Sequence, residues 1–159
     1  VRTTGGRMKC FIGIDPGRSG GYAIAFDSLD SVELHNLTEE GEFVRHLLEL
    51  VDNPDIESIE ASLEDCPPFA GKNIPSSAGF KLGYSCGFSA GVLRALQVPV
   101  TLIKPKVWQA GLGGLTGLTG AKRKRVLKDH AYRFFPKVTG LTLKTADAIL
   151  ILRHFLLTK

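Results

Sequence analysis

The stretch Phe11-Ile12-Gly13-Ile14-Asp15-Pro16-Gly17-Arg18-Ser19-Gly20-Gly21-Tyr22 decides how this chain folds. Lys9 to Ile14 is a short apolar run of strand type. Asp15-Pro16-Gly17 ends it, because proline has no amide to donate and glycine supports a turn. Tyr22 to Phe26 then reads as the antiparallel return of a hairpin. The turn leaves Asp15 at the mouth of an apolar strand, where a carboxylate is costly to desolvate unless a cation meets it.

Two more acids repeat that placement. Glu64 ends the run Ile56 to Leu63, and Asp147 opens the apolar segment Ala148 to Leu152. Between them, Val32 to Asn36 reads as a third strand. Glu39 to Val51 reads as an amphipathic helix with Phe43, Leu47, Leu48 and Leu50 apolar, stopped by Asn53-Pro54-Asp55. Asp65 to Ser77, with Pro67, Pro68, Gly71, Lys72 and Pro75, has the composition of a loop. Ser77 to Leu96 follows as a helix rich in small residues, with Gly83, Gly87 and Gly91 spaced by four, and Pro99 to Ile103 as a strand. Gly111 to Gly120 is a glycine-rich link into a basic helix from Ala121 to Phe135, and Thr145 to Leu157 is the last helix. A hairpin group followed by alternating helix and strand predicts an α/β fold, a mixed sheet with helices on both faces. Val1 to Arg7 stands apart, as a cloning scar, a disordered segment or the remnant of a removed transit segment, and residues 8–159 read as one domain.

At 159 residues and 43% hydrophobic content, the chain can bury one adequate core. Its net charge is +4, and the sign is unevenly spread. Nine cations stand from Lys104 to Lys137 (Lys104, Lys106, Lys122, Arg123, Lys124, Arg125, Lys128, Arg133, Lys137) against one acid, Asp129, with Arg94 just outside. Such a patch suits a polyanion. Cys10, Cys66 and Cys86 lack metal-site spacing, which predicts buried thiols in a reducing compartment and no disulfide framework. No apolar run is long enough for a membrane span.

Taken singly, each acid fits a plain role: Asp15 as a turn cap, Glu64 as a solvated strand end, Asp147 as a first-turn helix acid. Taken together, they are the donor set that phosphodiester cleavage by metal ions needs, with carboxylates converging on ions about 4 Å apart. The basic run Lys122-Arg123-Lys124-Arg125 fits either a solvated helix face or phosphate contact, and Lys81 is a further candidate. Phe69 fits either a base-stacking wedge or a loop anchor, Lys72 shares its loop, and Trp108 is expected in the core.

These residues in this order resemble the RuvC-like Holliday junction resolvases, a family within the RNase H-like superfamily, including its phage and organellar branch. The matching segments are Phe11 to Tyr22, Ser62-Leu63-Glu64, Ser77 to Gly83 with Gly87, Pro105 to Trp108, and Thr145-Ala146-Asp147-Ala148. They span nearly the whole chain. The resemblance implies an RNase H-like fold, a homodimer, Mg²⁺ or Mn²⁺, and paired nicks in four-way junction DNA. It makes Asp15, Glu64 and Asp147 metal ligands and catalytic residues. Arg123 matches a catalytic family lysine, with Lys122 as the register alternative, and Phe69, Lys72, Lys81, Lys122, Arg123, Lys124 and Arg125 are DNA-binding candidates. The chain departs from the pattern in two places. Leu143 and Lys144 stand where the family carries a fourth Asp or His, and Trp108 or Gln109 where it carries a second lysine. An impaired or non-catalytic junction-binding protein is therefore the alternative. Gly13 to Gly21 also looks like the first phosphate loop of sugar-kinase and actin-like ATPases, whose two lobes this length cannot hold. The implied setting is the cytoplasm of a bacterial or phage-infected cell, or an organelle such as a chloroplast.

Overall fold

The computed structural model, which describes residues 7–66 and 74–159, holds the five strands and four helices that the sequence patterns predict, with one further short helix. The strands are β1 (Met8–Asp15), β2 (Gly21–Phe26), β3 (Val32–Asn36), β4 (Ile56–Glu64) and β5 (Val100–Ile103). The helices are α1 (Glu40–Val51), α2 (Ser76–Ala95), α3 (Pro105–Trp108), α4 (Gly120–Phe134) and α5 (Ala146–Leu157). The sheet order is β3-β2-β1-β4-β5, antiparallel through the two hairpin pairings and parallel from β1 to β4 to β5. No helix among the described residues is long and apolar enough to cross a membrane.

Strand alternation divides β1 between two cores. Cys10, Ile12 and Ile14 pack with Tyr22, Ile24, Ala61 and Leu63 under α1 and α2. Phe11 joins Ala23, Ala25 and Ile103 under α3, α4 and α5. The sheet is thus covered on both faces, and β1, buried on both, is apolar almost throughout. Gly13 has the parity of Phe11. A Cβ there would stand 2.6 Å from the Ala148 carbonyl oxygen and 2.6 Å from Leu152 Cβ, so the missing side chain lets α5 lie directly on β1.

The Pro105–Trp108 segment, which carried no helical period of its own, is a single turn of helix seating Trp108 in the core. The cysteine expectation fails. Cys66, just past β4, and Cys86, in α2, are joined as a disulfide with 6.5 Å between their Cα atoms, while Cys10 stays a buried thiol. Twenty residues separate the pair in sequence, and the strand-to-helix return brings them together.

Candidate active site

The parity that puts Gly13 beneath α5 also puts Asp15 there, two residues on. In the parallel register Gly13 pairs with Ser62, so Glu64, two residues beyond Ser62, reaches the same face at the same strand end. Asp147 lies in the first turn of α5, over that end. Three acids far apart in sequence thus converge at the carboxyl ends of β1 and β4.

They are not solvated. Asp15 is 6% exposed and Asp147 5%. Lys124 of α4 answers both, with Nζ 3.4 Å from Asp15 Oδ2 and bonded to Asp147 Oδ2. One ammonium cannot offset two carboxylates. Burial foremost, with Asp147 next, pushes the Asp15 carboxyl up to about 8 against the pull of Lys124. Burial likewise raises Asp147, more than Lys124 and Arg123 lower it. For Lys124, burial disfavours the charge, but Asp15 and Asp147 outweigh it and hold the ammonium above its usual range. Glu64 is tied separately. It accepts the Trp108 indole N–H at 2.8 Å, and burial still raises its carboxyl despite that bond.

Among the described residues, Asp147 Oδ1 is buried without a hydrogen-bond partner. A buried carboxylate oxygen left unpaired pays its desolvation cost in full, and a cation is a partner that would relieve it. Three carboxylates with an excess of negative charge are the donor set of a hard divalent ion such as Mg²⁺ or Mn²⁺. The donor types fit that group, although Asp15, Glu64 and Asp147 do not bring one oxygen each within 4.8 Å of the other two, the Lys124 ammonium being lodged between Asp15 and Asp147.

The basic helix distributes its charges differently from what the resemblance implies. Arg123 turns away from the acids, donating to the Leu115 carbonyl at 3.1 Å and to Gln109 Oε1, and so pins the glycine-rich segment before α4. Lys124, one residue on, is the cation that enters the centre. Lys122 and Arg125 are exposed, as is Lys81 on α2. Phe69 and Lys72 lie outside the described residues. Lys144 is half-buried, and its carbonyl packs against Gly21 beside the β1–β2 turn. Sequence reasoning missed the role of Lys124 as counter-ion and of Trp108 as donor to Glu64. The apolar context of Trp108 gave no sign of its hydrogen bond.

No protein-family model and no curated relative matches the chain. Solved structures do. The Thermus thermophilus RuvC structure aligns with TM-score 0.55 and 18% identity, over 91% of this chain and 92% of that one. The T. thermophilus RuvC in complex with Holliday junction substrate aligns with TM-score 0.54 and 15% identity, over 94% and 96%. The fold is that of these RuvC structures, a mixed five-stranded sheet flanked by helices on both faces.

Proposed function

We propose that this protein is a metal-dependent, structure-selective DNA endonuclease that resolves Holliday junctions by paired nicks. The observation that carries the reading is the convergence of Asp15, Glu64 and Asp147 at one sheet end, in a fold shared over more than nine-tenths of its length with a resolvase whose complex with junction DNA is known. Asp15, Glu64 and Asp147 would hold Mg²⁺ or Mn²⁺, which when bound supplies Lewis acidity toward a phosphate oxygen and toward a water nucleophile.

The chain's own residues do the rest. Trp108 fixes one Glu64 oxygen and leaves the other for the centre. Among the described residues Lys124 is the cation held at the carboxylates, and with two of its three N–H donors on Asp15 and Asp147 it has one left for a non-bridging phosphate oxygen. Water attacks phosphorus, the P–O3′ bond breaks, and the products are a 3′-hydroxyl and a 5′-phosphate. The exposed Lys122, Arg125 and Lys81 would contact backbone phosphates along the arms.

Opposed nicks need two centres related by a two-fold axis. On α2, Cβ atoms built at Gly83, Gly87 and Gly91 would meet nothing within 4 Å, so the small-residue stripe faces away from the protein's own sheet. Phe80 and Tyr84 of the same helix are 75% and 55% exposed. An apolar, glycine-striped helix surface of this kind supports a homodimer formed through α2.

The second reading, a junction-binding protein with impaired catalysis, rests on Lys144 in place of a fourth acid and on an ammonium already seated between Asp15 and Asp147. The deciding experiment is incubation with a mobile four-way junction, with Mg²⁺, with Mn²⁺ and with chelator, beside a linear duplex control. Opposed nicks that need the metal and the junction support the nuclease. Tight junction binding with intact strands under both metals supports the second reading.

A further inference from the structure

The opposite face of the sheet carries a separate cluster that the nuclease reading does not use. Glu33 and His35 are two apart on β3, one of the two edge strands, and share a face. His35 pairs with Tyr22 of β2, whose ring belongs to the core under α1 and α2. His46 reaches the same spot from α1, its ring centroid 4.6 Å from that of His35. One donor atom each from Glu33, His35 and His46 lies within 4.8 Å of the other two. One further observation points to a missing partner, and a second to a ring already held in position. His35 Nε2 is buried without a hydrogen bond among the described residues, and at 3.7 Å the Glu33 carboxylate is too far to supply one. Tyr22 Oη sits 3.0 Å from His46 Nδ1 and so holds that ring in place.

We propose that Glu33, His35 and His46 form a binding site for one divalent transition-metal ion of the Zn²⁺ class. Two imidazoles and one carboxylate select this class over Mg²⁺ or Ca²⁺, which prefer oxygen throughout. Metal–nitrogen distances of about 2.0–2.1 Å in a tetrahedron place ligand atoms about 3.3 Å apart. From separations of up to 4.8 Å the cluster has to close by at most about 1.5 Å, and the exposed Glu33 side chain can supply part of that movement. His46 coordinates through the nitrogen that Tyr22 leaves free, with Nδ1–H donated to Tyr22 Oη, the usual outer support of a metal-bound imidazole. A fourth position is left for water. The ion clips the edge strand β3 to α1, and it acts independently of the acid centre on the other face.

The test uses tag-free protein carrying Asp15→Asn and Asp147→Asn, saturated with Mg²⁺, so that the acid centre contributes no signal. Co²⁺ is titrated while visible ligand-field absorption is followed, and Zn²⁺ is then added as competitor. One equivalent of Co²⁺ with nitrogen–oxygen bands, displaced by Zn²⁺, is expected. His35→Gln or Glu33→Gln should abolish the bands, and Tyr22→Phe should weaken affinity by about 10–100-fold, with circular dichroism confirming the fold of each. Co²⁺ binding that is absent at millimolar concentration, or unchanged in His35→Gln, overturns the site whether or not the protein cleaves junctions.

Discussion

Trp108 donates its indole N–H to Glu64 Oε2 at 2.8 Å, joining the one-turn helix α3 to the end of β4. This bond is the larger of two favourable interactions that oppose burial at Glu64, the other being the charge of Lys124. Trp108→Phe keeps most of the apolar contact and removes the donor. The Glu64 carboxyl should then hold its proton to higher pH, so that cleavage needs several-fold more Mg²⁺ and its acid limb moves upward. Losing a hydrogen bond to a charged group should also lower stability by about 1.5–3 kcal/mol. A Mg²⁺ titration of junction cleavage at two pH values checks the first outcome, and urea unfolding the second.

Asp15→Asn, Glu64→Gln and Asp147→Asn should each abolish cleavage while leaving junction binding intact or tighter, since each removes negative charge from a surface that meets phosphate. Gel-shift and cleavage assays on one junction preparation separate the two effects.

Proton linkage at Asp15 has a definite sign. Its folded pKa is about 8, against 3.8 as its ordinary value, so the folded protein keeps a proton that the unfolded chain releases. The stability from that proton is complete below the ordinary pKa and is lost as pH rises through about 8. Asp147 and Glu64 are shifted the same way. The raised Lys124 keeps its contribution throughout this window, and the lowered His35 contributes in the opposite sense near its usual range. The metal-free protein should therefore lose melting temperature between about pH 4 and about pH 8 more steeply than Asp15→Asn, and Mg²⁺ should flatten the difference. Calorimetric scans of both proteins, with and without metal, measure it.

Neighbours on α4 should behave differently. Lys124→Gln removes the one cation that, among the described residues, bridges the acids, and should cut the cleavage rate by about 10²–10³-fold. Arg123→Ala should chiefly loosen the Gly111 to Gly120 segment. Lys122→Ala and Arg125→Ala, at exposed positions, should each flatten the log–log salt dependence of junction affinity by about 0.9. Single-turnover rates and salt titrations of the four variants test this ordering.

Lys144→Asp restores an acid three residues before Asp147, beside the β1–β2 turn. It should raise the cleavage rate or lower the Mg²⁺ requirement, because an added carboxylate strengthens a hard-cation site. An unchanged metal titration would place Lys144 outside the centre.

The strands and the convergence of the acids were legible in sequence because alternation is rigid. Once Ile14 faces one core, Asp15 must face the other, and the parallel pairing of β1 with β4 carries Glu64 to the same side. What depends on packing was not legible. Successive residues on a helix point about 100° apart, so a basic run cannot say whether Arg123 or Lys124 enters the site until the phase of α4 is known. The Cys66–Cys86 pair and the meeting of His46 with His35 are products of helix placement, written in no local spacing. Glu33-x-His35 alone carried a hint, since strand parity places both on one side.

Gly13 acts as a spacer of zero thickness between β1 and α5, and the separation it sets is inherited by the two acids anchored on those elements, Asp15 and Asp147. A methyl group at this position would lever the helix off the strand and widen the gap between the carboxylates without altering either. A variant screen scored on cleavage alone would accordingly report Gly13 as though it belonged to the reaction, and only a measurement of metal affinity beside one of activity would reveal that what changed was a distance.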